Sequence, residues 1–216
     1  MRSYTVDPNA ARQANANNYI EETGKYIGHI VTAEATKSRN GTDGIEISFK
    51  SNAGQMANFL TLWTYNAEGK ELYGLKVFNA LMVCAELQSI TPQQSTITDA
   101  TGTQRAATIF PELSNRPIGL VLQKEFYTKN DGSDGSRFNI YAPFHPQSEK
   151  MAKEILDGVS APKALASLVA TLSDKKASAR PQAQQNNQYI AQNNYQNTRN
   201  DSFPDDRFGY DFEGGF

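Results

Sequence analysis

Cysteine and histidine are almost absent from this sequence. The chain of 216 residues contains one cysteine, Cys84, and two histidines, His29 and His145. A single cysteine cannot form an internal disulfide, and two histidines without cysteine partners do not supply the ligands of a structural zinc site. Cys84 lies within an apolar segment, so we expect a buried thiol. We expect no metal and no cofactor.

Long apolar runs and catalytic signatures are also missing. No run approaches the roughly 20 apolar residues of a membrane-spanning helix, and the first residues lack the basic-then-apolar plan of a secretion signal. The sequence contains no G-x-S-x-G, no H-E-x-x-H and no phosphate-binding loop pattern. These absences predict a soluble, cytoplasmic protein that is not an enzyme.

The charges are nearly balanced overall but unevenly distributed. The 21 basic and 23 acidic residues give a net charge of -2. Residues 174–200 hold four basic residues and one acidic residue, whereas residues 201–216 hold five acidic residues and one basic residue. Residues 174–200 are rich in Gln, Asn and Ala, which predicts a disordered linker that ends in an acidic tip. Residues 1–20 are also polar and predict a mobile N-terminal arm.

A strand pattern dominates the first half of the chain. From Gly24 the residues alternate between two faces, and Ile45, Ile47 and Phe49 alternate with polar residues. Residues 58–65 place leucines on one face and mostly aromatic residues on the other. Alternation with a period of two is typical of half-buried strands. Three strands are therefore predicted before residue 66.

The second half mixes helical and strand patterns. Apolar residues recur at helical spacing from Leu75 to Leu87, and Pro92 follows. We expect residues 88–115 to form a long loop with a short helix near Thr103–Phe110. Pro117–Thr128 and Arg137–Ala142 read as two more strands, and residues 147–172 have a helical pattern.

Five strands with a helix between the third and fourth is the element order of an oligonucleotide/oligosaccharide-binding (OB) barrel. We predict a mainly β fold, with a five-stranded OB barrel over residues 21–145. C-terminal helices over residues 146–173 are expected to pack on the barrel, and a disordered tail is expected over residues 174–216. The first–second and fourth–fifth links of an OB fold flank its binding face. Here these links, Lys37–Gly44 and Lys129–Ser136, contain turn glycines and have basic residues at or beside them.

Binding of a single nucleic-acid strand without sequence preference requires aromatic faces that stack on bases and a basic groove that follows the phosphates. Six of the aromatic residues in the last three predicted strands are the candidate stacking residues: Trp63, Tyr65, Phe126, Tyr127, Phe138 and Tyr141. The basic residues at the two links are the candidate phosphate contacts: Lys37, Arg39, Lys124, Lys129 and Arg137. For each aromatic residue the alternative is a place in the barrel core, and for each basic residue it is a solvated surface charge.

The run GIEISFKSNAGQMANFLTLWTYNAEGKELYG lies in a region, residues 20–145, that resembles bacteriophage single-stranded DNA-binding proteins of the OB-fold type in element order. The end of the chain, DSFPDDRFGYDFEGGF, resembles the acidic, phenylalanine-ended tails of single-strand binding proteins. Bacterial tails place a proline before the final phenylalanine, whereas this chain has Gly214 and Gly215.

The resemblance implies that the chain binds and protects single-stranded DNA during phage DNA replication and recombination, in the cytoplasm of the infected host cell. It also implies that replication or recombination proteins bind the tail, through Asp205, Asp206, Asp211, Phe212, Glu213 and Phe216. Two alternatives stay open. An RNA-binding OB domain uses the same stacking chemistry, and a phage structural or assembly protein would bind protein only.

Overall fold

A computed structural model of the chain describes residue 3 and residues 5–8, 18–98, 103–129 and 131–176. The fold is mainly β, with seven strands in one open antiparallel sheet. Its elements are β1 (Gly24–Lys37), β2 (Asp43–Ser51), β3 (Met56–Tyr65), α1 (Tyr73–Cys84), β4 (Gln93–Thr98), β5 (Gln104–Ile109), a 3-10 turn (Pro111–Leu113), β6 (Pro117–Thr128), β7 (Asp134–Phe144), α2 (Ala152–Leu156) and α3 (Ala164–Thr171). The five predicted strands and the predicted central helix are all present.

The long strand β1 joins the two parts of the sheet. Its first residues, Gly24 to His29, pair with β6, while the residues from Gly28 onward pair with β2. The strand order is β3-β2-β1-β5-β4, with β6 and β7 attached along the beginning of β1. Val31 is the extra residue of a bulge within the pairing of β1 with β2, two residues after the last residue that pairs with β6. In the described residues no backbone ladder joins β3 to β7, so the sheet is open there.

The main core lies between the inward faces of the strands and α1. Ile47, Phe49 and Leu60 are fully buried on β2 and β3. They alternate with exposed or half-buried residues, which is the pattern that predicted the strands. Helix α1 buries four residues at helical spacing, Val77, Phe78, Leu81 and Cys84. Cys84 is buried as expected, and burial raises the pKa of its thiol to about 12.

The segment 88–115 contains a β-hairpin, and the prediction of a long loop with a short helix is wrong. Strands β4 and β5 pair with each other along their whole length. Glu34 of β1 pairs with Ile109 of β5, which attaches the hairpin to the sheet. The residues predicted as a helix near Thr103–Phe110 are mostly strand β5. The sheet therefore has seven strands instead of the predicted five.

Helix α3 covers a second, smaller core on the other side of β6 and β7. Leu165, Leu168 and Val169 pack with Val121 and Phe144 there, together with neighbouring apolar residues. None of the helices in the described part of the chain has the length and apolar character needed to cross a lipid bilayer.

A buried carboxylate holds the beginning of α3. One oxygen of Glu154 accepts hydrogen bonds from the backbone N–H groups of Lys163 and Ala164, at 2.8 and 3.0 Å. The other accepts from the N–H of Met151 at 3.0 Å. Burial raises the pKa of Glu154, but these N–H groups outweigh it and the pKa is lowered overall. The carboxylate therefore fixes α3 against α2 while it is ionised.

The contacts of the domain extend beyond both predicted boundaries. Ile20, at the end of the predicted mobile arm, is buried, and its N–H donates to the carbonyl of Met56 at 2.9 Å. Lys175, two residues past Ser173, pairs with β6: its N–H donates to the carbonyl of Lys124, and its carbonyl accepts from the N–H of Phe126. The rest of the predicted tail, including Asp205, Asp206, Asp211, Phe212, Glu213 and Phe216, lies outside the described residues.

Candidate nucleic-acid interface

Five of the six predicted stacking residues lie on the surface. Each of these residues is between 37 and 40% exposed: Trp63, Tyr65, Phe126, Tyr127 and Tyr141. Phe138 is half-buried and packs against the main core. The first five are therefore placed where a base can reach them, and the position of Phe138 is that of a core residue.

Trp63 lies on the outer face of the sheet, across a glycine of the neighbouring strand. Its partner on β2 is Gly44, and a Cβ atom there would lie 2.7 Å from the indole Cε3. The absence of a side chain at Gly44 lets the indole approach the backbone of β2. Leu60 and Leu62, on the opposite face of β3, are buried in the core. One side of the indole is thus packed, and 39% of the residue stays exposed.

Tyr65 lies nearer the β1–β2 link, where the basic residues begin. A bulge at Thr64 separates it from Trp63: their partners, Asp43 and Gly44, are consecutive residues of β2, so the two rings point to opposite faces of the sheet. Asp43 pairs with Tyr65 on one side and with Lys37 on the other. The Lys37 ammonium lies 3.1 Å from the Asp43 carboxylate, and both side chains are more than half exposed. Arg39 follows in the link and is exposed. Trp63, Tyr65, Lys37 and Arg39 therefore belong to one end of the sheet, which we call the β3 end.

The middle of the sheet face that carries Trp63 contains acidic residues. Glu34 of β1, Glu46 of β2 and Thr61 of β3 form the row next to Trp63. Arg105 of β5 lies 2.7 Å from the Glu34 carboxylate. Burial raises the pKa of Glu46, Glu34 raises it further, and Arg105 lowers it. With two carboxylates and one guanidinium, this row carries a net negative charge.

The remaining candidates lie at the far end of β6 and β7, which we call the hairpin end. Consecutive residues of a strand point to opposite faces, so Phe126 and Tyr127 do not share a surface. The ammonium of Lys124 lies 5.4 Å from the centre of the Phe126 ring, and the guanidinium of Arg137 lies 5.8 Å from that of Tyr127. Each face therefore presents one aromatic ring with one cation over it.

The face of Tyr127 and Arg137 is organised around a nearly buried carboxylate. Glu125 is 10% exposed; it accepts hydrogen bonds from Arg137 Nε at 2.8 Å and from Asn139 at 2.9 Å. The ammonium of Lys175 lies 2.8 Å from its other oxygen. Burial raises the pKa of Glu125, but the bonds from Lys175, Asn139 and Arg137 outweigh it and lower the pKa to about 2.

The β3 end and the hairpin end are located near opposite termini of strand β1. Lys37 closes β1 beside the β1–β2 link, whereas β6 continues beyond Leu122, the partner of Gly24 at the beginning of β1. Lys129, in the β6–β7 link, is exposed. The structure therefore places the candidate residues other than Tyr141 at two separate ends of the sheet.

Bulges in β3 and β7 interrupt the alternation of faces on which the sequence predictions were based. Tyr141 is the extra residue of a bulge in β7, between Ile140, which faces the main core, and Ala142, which faces the second core. Phe59 lies in a bulge of β3 and is 75% exposed, more than any predicted stacking residue. Phe59 was not predicted as a site residue. The signal that could have found it is its place on the aromatic face of β3.

No protein-family model matches this chain, and no curated protein matches it.

Proposed function

We propose that the chain binds single-stranded DNA without sequence preference, across the outer face of β3 and the two links. The observation that carries the proposal is the β3 end, where Trp63 and Tyr65 are exposed near the link that contains Lys37 and Arg39. Exposed aromatic rings are unfavourable in water, and each can contribute large contact area to a ligand. Stacking platforms beside cations are the two requirements of single-strand binding.

The exposed rings suit a nucleobase. Each ring presents a flat apolar surface, and stacking of a base on an aromatic side chain contributes about 1–3 kcal/mol. A duplex keeps its bases stacked on each other, so the faces of its bases are unavailable to the rings.

The charges give the bound strand an orientation. Glu34 and Glu46 occupy the middle of the face, and phosphates carry the same sign of charge. The strand therefore turns its bases toward the aromatic rings and its phosphates toward the cations of the two links. Neutralising phosphates with these cations releases counterions, so affinity falls as salt rises.

We further propose that the open sheet closes as an OB barrel through β3 and β7, and that the chain protects single strands during phage DNA replication and recombination in the host cytoplasm. The element order and the resemblance of residues 20–145 support this. The acidic tip, which lies outside the described residues, is the proposed binding site for replication or recombination proteins.

Fluorescence of Trp63 tests the proposal directly because it is the only tryptophan of the chain. Titration with oligo(dT) at low salt should quench this fluorescence, and a duplex of the same length should quench it much less. Anisotropy of a labelled oligo(dT) then measures affinity for variants. Gly44→Ala, which forces the indole off β2, should weaken binding, and Trp63→Phe should preserve more affinity than Trp63→Ala.

Each alternative has its own outcome. Tighter binding of oligo(U) than of oligo(dT) would show that RNA is the ligand. An absence of binding to every single strand at low salt would contradict the proposal and favour a structural or assembly protein. Equal affinity for single strand and duplex would contradict base stacking.

A further inference from the structure

Phe59 combines an unusual backbone conformation with an unusual degree of exposure. Its φ angle is +60°, in the left-handed region, and 75% of the residue is exposed. The left-handed region disfavours residues that carry a Cβ atom and is most easily adopted by Gly or Asn. Neither the core nor the backbone therefore requires phenylalanine at this position.

The bulge that holds Phe59 reorients its side chain. Ile47 pairs with Leu60, and Phe49 pairs with Ala57, so Asn58 and Phe59 lie opposite the single residue Ser48. Because of the extra residue, Ala57 and Leu60 both face the core. Bulges commonly direct a side chain at a functional site, and an unfavourable backbone conformation retained on an exposed residue suggests a role in binding.

From this geometry we infer that Phe59 is a further base-stacking residue and extends the site along β3. The inference rests on the proposed function. Phe59 precedes Trp63 by four residues, or about 13 Å along a strand. A path of that length accommodates about four stacked nucleotides. The ligand is a single strand of at least that length.

Phe59 lies on the same face of β3 as Trp63. Leu60 and Leu62, which alternate with them, are both buried in the core, and no bulge lies between Leu60 and Trp63. The row that contains Glu34 and Glu46 separates the two rings. Phe59 therefore gives a bound strand a second stacking surface on the far side of that row.

The test compares Phe59→Gly with Trp63→Ala in the full chain, using anisotropy of a labelled 12-nucleotide oligo(dT) at low salt. Phe59→Gly should weaken binding by about 5- to 150-fold, the range for loss of one stacked base. Its melting temperature should be unchanged or higher, because glycine adopts the left-handed region without strain. Phe59→Tyr, the matched control, should bind like the wild type because it keeps an aromatic ring.

Oligonucleotide length provides the second readout. Three stacked nucleotides span about 10 Å, which is less than the roughly 13 Å between Phe59 and Trp63. A three-nucleotide oligo(dT) therefore cannot use both rings at once, and Phe59→Gly should weaken its binding less than that of the 12-mer. Phe59→Leu, which keeps an apolar side chain without an aromatic face, should weaken binding of the 12-mer even if Phe59→Gly fails to fold.

The possible failures are distinct. Normal binding by both Phe59→Gly and Phe59→Leu with weakened binding by Trp63→Ala would overturn the inference and leave the proposed function standing. Normal binding by Trp63→Ala as well would overturn both. A change in sedimentation of Phe59→Gly with unchanged DNA affinity would assign Phe59 to self-association and overturn the inference.

Discussion

Replacing Glu125 with glutamine should destabilise the domain and at the same time strengthen its binding to single-stranded DNA. The carboxylate is 10% exposed and is bonded to Arg137, Asn139 and Lys175. Glutamine keeps the shape and can still accept from Asn139. It removes the negative charge that holds the two cations, and both then become available to a phosphate.

The size of the stability loss follows from the pKa. The pKa of Glu125 is lowered from 4.5 to about 2, and one pKa unit corresponds to about 1.4 kcal/mol, so the ionised form stabilises the fold by about 3 kcal/mol. This is an upper value because Arg137 is 57% exposed and water weakens its share. For a domain of this size about 3 kcal/mol lowers the melting temperature by roughly 6–12 °C.

The sign of the pH dependence is fixed by the direction of the shift. The folded-state pKa lies below the unfolded value, so the stabilisation is fully present above pH 4.5 and is lost as the pH falls toward 2. Urea unfolding of wild type and Glu125→Gln should therefore give curves of stability against pH that are separated at pH 7 and converge near pH 2. Curves that stay parallel down to pH 2 would refute the assigned pKa.

Glu154→Gln is the matched control for the binding effect. It also removes a nearly buried carboxylate with a lowered pKa, and should also cost stability, but it lies at the beginning of α3 and contacts no candidate site residue. Anisotropy at low salt should show tighter DNA binding for Glu125→Gln and unchanged binding for Glu154→Gln. Unchanged or weaker binding by Glu125→Gln would remove Arg137 from the phosphate contacts.

The remaining predictions concern the site and the tail. Trp63→Ala and Tyr141→Ala should each weaken binding by about 1–3 kcal/mol and leave the domain folded, because neither ring belongs to the main or the second core. A normal melt with unchanged affinity would remove that residue from the site. Joint replacement of Lys37 and Arg39 by alanine should make the slope of log affinity against log salt shallower by about 1.4, and an unchanged slope would contradict their role as phosphate contacts. Truncation after Lys176 keeps the contact of Lys175 with β6. It should leave the melt unchanged and tighten DNA binding at low salt, because the acidic tip no longer competes with phosphates, and the truncated protein should lose its protein partners. Unchanged affinity together with unchanged partner capture would contradict the role of the tail.

The strands that pack on the main core were predictable because their alternation has an inward face. Ile45, Ile47 and Phe49 all face the core, and the polar residues between them do not. The hairpin of β4 and β5 was missed because most of its residues are exposed or half-buried on both faces. Its β-branched residues, such as Thr96, Ile97 and Thr98, were the available signal. Attachment through Glu34 and Ile109 is a tertiary contact that no local pattern contains.

The separation of surface aromatics from core aromatics was only partly predictable. Alternation correctly placed Trp63 opposite Leu62, because no bulge intervenes between them. Across a bulge the alternation shifts, so Ile140 and Ala142 reach different cores although they are two residues apart. A bulge depends on how two strands pair, and this pairing cannot be read from the sequence of one strand. Phe59 owes its exposure to the same effect.

The strength of each candidate phosphate contact depends on what already holds the cation, which a count of charges does not reveal. Arg39 and Lys129 have no ion pair within the described residues, and Lys37 pairs with a carboxylate that is itself half exposed. Exposed pairs are worth about 0–1 kcal/mol, so a phosphate displaces Asp43 easily. Arg137 is held by Glu125, whose ionised form is worth several times more. The β3 end should therefore bind phosphate first, and the hairpin end should contribute most when Glu125 is neutralised.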